Sequence, residues 1–191
     1  MICGIDASTT CTGLSIFDGD DLVYYTKITP LSKHNTWEDN AIDIVEQVVQ
    51  VLTNYEIEYI IMEDVPEYVR QGNRGGIIAK PTIVLGGVHM LFYYMLAYKY
   101  NYTIYFLNVD EWRQELGFLL GKERDRESMK QKAVDFVNKT FGLDLHFVKG
   151  SKAKSQDDDI AEAIAIVCST RDKYKYKKPT VKFGRSRKVV G

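Results

Sequence analysis

Cysteine is scarce. Cys3, Cys11 and Cys168 are odd in number and stand in no CxxC or Cys/His ligand pattern, which argues against a disulfide framework or a structural zinc site. They read as reduced, core or near-core residues of a cytoplasmic protein. Long apolar runs are lacking too. The longest, residues 83 to 98, is interrupted by His89 and is shorter than the ~20 residues a membrane span needs. Asp6 arrives too early for the apolar region of a signal peptide. No internal repeat is visible, and no GxxxxGK[ST] phosphate loop is present. What remains, in 191 residues that are 45% apolar, is enough for one core: a single domain over residues 1–170 and a tail over 171–191.

The formal net charge of -1 conceals a division. From Arg171 onward there are nine Lys/Arg and one acid, so residues 1–170 hold 16 Lys/Arg and 25 Asp/Glu, a net -9 against +8 for the tail. An acidic body with a basic Gly/Pro/Ser-containing tail fits a nuclease, with acids for metal and bases for phosphate. A solvated terminus that binds nothing gives the same composition.

Acids recur where apolar segments meet polar ones. Residues 2–17 read as strand, Ser/Thr turn and strand, with Asp6 at the end of the first strand. Residues 57–66 read as a buried strand closed by Glu63-Asp64 and stopped by Pro66. Asp157, Asp158 and Asp159 open an Ala/Ile helix that contains Glu162. Asp159 and Glu162 are i, i+3, and Asp158 and Glu162 are i, i+4, so either pair shares a face. Taken singly, Asp6 is a turn cap, Glu63 half of an ion pair, and the triple Asp a complement to the helix dipole. Glu162 is harder to place, because its neighbours suit burial and an unpaired buried carboxylate is costly. Converging acids would repel unless a cation lay between them, and all-oxygen ligands favour Mg²⁺ or Mn²⁺ over zinc.

Between these landmarks, residues 22–28 form a third strand in an antiparallel series. Residues 36–54 form a helix with Ile42, Val45, Val48, Val49 and Leu52 on one face. A Gly-rich loop at 67–80 offers Tyr68 for base stacking and Arg70, Arg74 and Lys80 for a phosphate backbone. A long apolar helix spans 81–100, a strand 103–109, and a short helix opens at Asp110. The charged loop with Lys122, Arg124 and Arg126 reads equally as a solvated face or a DNA-facing one.

Gly4-Ile5-Asp6 with Thr12-Gly13, Met62-Glu63 and Asp159-x-x-Glu162-Ala163 together resemble the RuvC family of Holliday-junction resolvases, in the ribonuclease H-like (retroviral integrase) superfamily. Trp112-Arg113-Gln114 and Lys130 look similar to that family's lysine-bearing DNA-contact segments. The resemblance implies an α/β ribonuclease H-like fold: a five-stranded mixed sheet, three antiparallel strands then parallel ones, flanked by helices. It implies a metal-dependent endodeoxyribonuclease that nicks Holliday junctions or other branched DNA by in-line phosphodiester hydrolysis, during recombination or phage DNA processing. Asp6, Glu63, Asp159 and Glu162, with Asp158 as alternative to Asp159, would hold two Mg²⁺ ions about 4 Å apart, replaceable by Mn²⁺. A homodimer packed through the 83–98 helix and a phage-type member are also implied.

Two departures stand out. The family commonly has Asp where this chain has Glu162, and the aromatic wedge that some members carry falls at Pro66, with Tyr68 nearby. Two rival readings remain. One is a branched-DNA binding protein whose metal site has lapsed. The other follows residues 4–10, which look like the first phosphate loop of actin-like ATPases and sugar kinases, although those need a second comparable half.

Overall fold

Ile2–Asp6 (β1), Thr12–Asp18 (β2) and Asp21–Ile28 (β3) pair antiparallel in sequence order. The second turn is closed by Gly19, whose φ of 58° suits a residue without Cβ. The structure is a computed structural model that describes residues 1–8, 10–31, 36–65, 80–121, 125–150 and 156–174. Tyr59–Glu63 (β4) lies parallel to β1, and Ile104–Leu107 (β5) parallel to β4, giving the order β3-β2-β1-β4-β5. This is the five-stranded mixed sheet expected.

Parallel neighbours need a crossover, and Trp37–Leu52 (α1) supplies the first. Its N-cap Thr36 accepts the Asp39 N–H at 3.1 Å. The buried face is Ala41, Ile44, Val45, Val48, Val49 and Leu52. Ile42, expected on that face, is 43% exposed, because the 41, 44, 45, 48 spacing turns it outward.

The second crossover departs from the single helix expected over 81–100. Lys80–Tyr93 (α2) is α-helical, and Tyr94–Lys99 widens into a π-helical turn, after which the Tyr100 N–H reaches the Met95 carbonyl at 3.1 Å. Likewise the strand expected to reach residue 109 ends at Leu107. Asn108 instead caps Val109–Glu115 (α3), its side chain accepting the Asp110 N–H at 2.9 Å, which satisfies a helix-start donor.

Arg126–Phe141 (α4) is capped by Asp125 at one end and by left-handed Gly142 at the other. Asp158–Tyr174 (α5) runs past residue 170, the expected edge of the body. Among the described residues no helix is long and apolar enough to cross a membrane, and the three cysteines are free thiols.

Strand periodicity sorts the core. Cys3, Ile5, Leu14, Ile16, Ile60 and Met62 meet α1 and α2 on one face. Tyr59, Ile61, Tyr105 and Leu107 meet α3, α4 and α5 on the other, as a two-residue repeat requires. On that second face α5 is seated unusually close. A Cβ at Gly13 would overlap the Asp159 carbonyl, and one at Gly4 the Ala163 carbonyl. Ser15 Oγ donates to the same Ala163 carbonyl at 2.9 Å.

Gly13→Ala is therefore expected to destabilise the chain by about 2 kcal/mol or more, as overpacking against immovable backbone does. Gly86→Ala, in α2 with nothing within 4 Å of the new Cβ, should be neutral or stabilise by up to about 1 kcal/mol. Urea unfolding of the two variants checks the contrast, and equal midpoints would contradict the close seating.

Candidate active site

Asp6 ends β1 and Glu63 ends β4. Because the strands are parallel with Ile5 opposite Met62, the two carboxylates leave the same edge of the sheet. The glycine seat under α5 brings Asp159 and Glu162 to that edge from the helix side. Burial pushes Asp6 well above the usual carboxylate range, and Glu162, Glu63 and Asp159 push it further. Glu63 is raised to about 7 by burial and then by Glu162. Burial also raises Asp159 and Glu162, the latter against the pull of Arg113 and Lys130. Three sequence-distant acids thus act on the charge of a fourth.

The triple Asp separates into three roles. Asp157 is structural: it accepts the His146 N–H at 3.1 Å and lies 3.8 Å from Lys27 on β3. Asp158 is held by Lys130. Asp159 accepts from the Cys11 thiol at 2.8 Å, and it, not Asp158, is the member that bears on Asp6. The Cys11 thiol is in turn pushed up to about 12, by burial first and then by Asp159.

Helix α3 grips the other two acids with adjacent residues. Trp112 Nε1 donates to Glu63 Oε2 at 2.9 Å, and Arg113 Nη2 donates to Glu162 Oε1 at 2.8 Å. The Arg113 guanidinium carbon stands 4.9 Å from the Trp112 ring centroid. Trp112 is fully buried, so its indole N–H needs an acceptor, and Glu63 is that acceptor.

No protein-family model and no curated protein matches this chain. Solved structures do. RuvC from Thermus thermophilus in complex with a Holliday junction substrate superposes with a TM-score of 0.60 at 17% identity, over 94% of this chain and 99% of that one. Another structure of T. thermophilus RuvC gives 0.55 at 16%, with the same coverage. The yeast mitochondrial Holliday junction resolvase gives 0.51 at 16%, over 88% of this chain and 76% of that one. The fold is that of RuvC.

In this RuvC-like frame the expected DNA contacts scatter. Tyr68, Arg70, Arg74, Lys122 and Arg124 lie outside the described residues, and Lys80 begins α2. Arg126 begins α4, exposed, close enough to lower the Glu63 pKa. Arg113 and Lys130 face the acids. Trp112, Cys11 and Asp157 are the partners that sequence reasoning missed. A buried indole N–H and a thiol beside a Ser/Thr turn were visible, but their acceptors lie 49 and 148 residues away.

The donor chemistry suits a divalent cation, since the four side chains offer only oxygen and three of them raise the proton affinity of Asp6. The present rotamers do not form a cage. Among the described residues no three His, Cys, Asp or Glu side chains are grouped to hold a metal ion, and two of the four acids are turned toward α3.

A pH dependence follows. Glu63 binds its proton near 7 in the folded state against 4.5 ordinarily, and Asp6 shifts the same way. The folded chain therefore holds more protons than the unfolded one in this window, and stability should fall as pH rises from about 5 to about 8. Thermal unfolding in EDTA is expected to show that fall, with a smaller one for Glu63→Gln. A midpoint that rises with pH would mean the acids do not share a field.

Proposed function

We propose that this chain is a metal-dependent endonuclease that nicks four-way junctions or other branched DNA. The observation that carries the reading is the convergence of Glu63, Asp159 and Glu162 on Asp6 at one edge of a RuvC-like sheet, where all three raise its proton affinity. The RuvC structure solved with a Holliday junction and the likeness to the yeast mitochondrial Holliday junction resolvase support the substrate class. These four acids are the Mg²⁺ ligands, with Mn²⁺ an alternative and Asp159 preferred over Asp158 because Asp159 is the one whose charge bears on Asp6. A divalent cation bound there supplies Lewis acidity at the phosphodiester.

The chain's own groups do the rest. Trp112 fixes the rotamer of Glu63. Cys11 fixes that of Asp159. Ile160, Ala161 and Ala163, which adjoin Asp159 and Glu162 on α5, are buried, and poorly solvated surroundings strengthen charge interactions.

Asp6→Asn, Glu63→Gln and Glu162→Gln should each abolish Mg²⁺-dependent nicking of a four-way junction while leaving binding equal or tighter, because repulsion of phosphate falls. A gel assay with junction, fork, flap and linear duplex reads both activity and selectivity. Cutting at the wild-type rate by any of the three would remove that residue from the ligand set. A second reading, a branched-DNA binder without cleavage, draws on the two ion pairs that engage Glu162 and Asp158. The wild-type lane decides it.

The functional unit is a homodimer. Ile83, Met90, Tyr94 and Tyr98 are 61%, 57%, 53% and 77% exposed at helical spacings along one side of α2 and its π-helical end, and the last two rings stack at 5.4 Å. Such an apolar stripe is suited to a symmetric contact with a second copy. Sedimentation velocity should find a dimer that Met90→Glu with Tyr98→Glu converts to monomer. A monomeric wild type would refute this.

A further inference from the structure

Two cations expected to face DNA are turned inward. Arg113 and Glu162 form their ion pair with side chains only 16% and 7% exposed, while the Arg113 Nε–H is buried with no acceptor among the described residues. A buried guanidinium with an idle donor has not found its full complement of partners. The contact over the Trp112 ring holds the group flat without using an N–H. Lys130 is bonded to Asp158. Although burial works against its charge, that bond and the fields of Glu162, Asp158 and Asp159 keep it protonated. Each cation therefore engages a carboxylate of α5, and while Glu162 Oε1 accepts from Arg113 a metal at that residue meets a positive charge already in place.

We propose that Arg113 and Lys130 are exchangeable counterions of the acid cluster: they hold Glu162 and Asp158 while no divalent cation is bound, and turn to DNA phosphate once one takes the carboxylates. The exchange rests on the nuclease reading of the same acids. Its physical basis is competition. A divalent cation at Glu162 competes with Arg113 for Oε1 and is repelled by its charge, which lowers its affinity in the absence of DNA by about tenfold. A phosphate offers the freed fork, including the idle Nε–H, the bidentate acceptor it lacks. Binding linkage then makes the help mutual: DNA tightens metal binding and metal tightens DNA binding by the same factor.

Titration of the full chain with MnCl₂, without DNA, tests the competition. Arg113→Met should bind Mn²⁺ about tenfold more tightly than wild type, Arg113→Lys should fall between, and Asp6→Asn should bind none. In EDTA the Arg113→Met chain should melt lower than wild type, and a given Mn²⁺ concentration should raise its melting point by more than it raises that of wild type, which loss of a purely structural contact would not produce. Arg113→Lys keeps the charge and carries the test if the Met variant does not fold. The second arm measures four-way junction affinity in EDTA and in CaCl₂, an oxygen-seeking cation. Arg113→Lys and Arg113→Met should lose affinity mainly in CaCl₂. If wild type binds Mn²⁺ through Asp6 and neither variant binds it more tightly, the exchange is overturned and the nuclease reading stands. If no chain binds Mn²⁺, both fall.

Discussion

Everything at the candidate site depends on a backbone contact. Helix α5 lies against β1 and β2 with no side chain between them at Gly4 and Gly13, and Ser15 ties the Ala163 carbonyl to the sheet. A helix held on a sheet by ordinary side chains stands about 10 Å away. Removing that layer brings the first turns of α5 down to the ends of β1 and β4, where Asp6 and Glu63 emerge. The glycines are thus parts of the electrostatic design, although neither carries charge.

That approach has a cost, borne by the chain's own cations. Carboxylates drawn together in a poorly solvated corner raise one another's proton affinity, as Asp6 and Glu63 do. Helix α3 relieves part of the strain with two consecutive residues, one donating a neutral N–H to Glu63 and the next a guanidinium to Glu162. Lys130, from α4, does the same for Asp158. A pocket balanced this way has its charges partly offset from within, by one neutral N–H and two cations.

The face of the sheet away from α5 has a different task. Helices α1 and α2 fill it with the larger apolar cluster, and α2 turns a further apolar stripe outward. The exposed apolar stripe of α2 and the helices α3 to α5 around the acids thus lie on opposite faces of one sheet.

Much of this could be read in one dimension. Alternating burial set the strands, the 3.6-residue repeat set α1, and acids at strand ends marked Asp6 and Glu63, because periodicity and the cost of a buried charge are local properties. The end of the 103–109 strand, the outward turn of Ile42 and the π-helical end of α2 were misjudged, since each is settled by a cap or by competition among neighbouring bulky residues for one face. Among Asp157, Asp158 and Asp159 the letters are identical, and only partners from β3, α4 and the 10–11 turn tell them apart. Arg113 and Lys130 show the limit most clearly: a basic residue announces affinity for negative charge, but whether that charge is a phosphate outside or a carboxylate within depends on distances across the fold. Composition along the chain says which groups must be neutralised, and packing in three dimensions chooses by what.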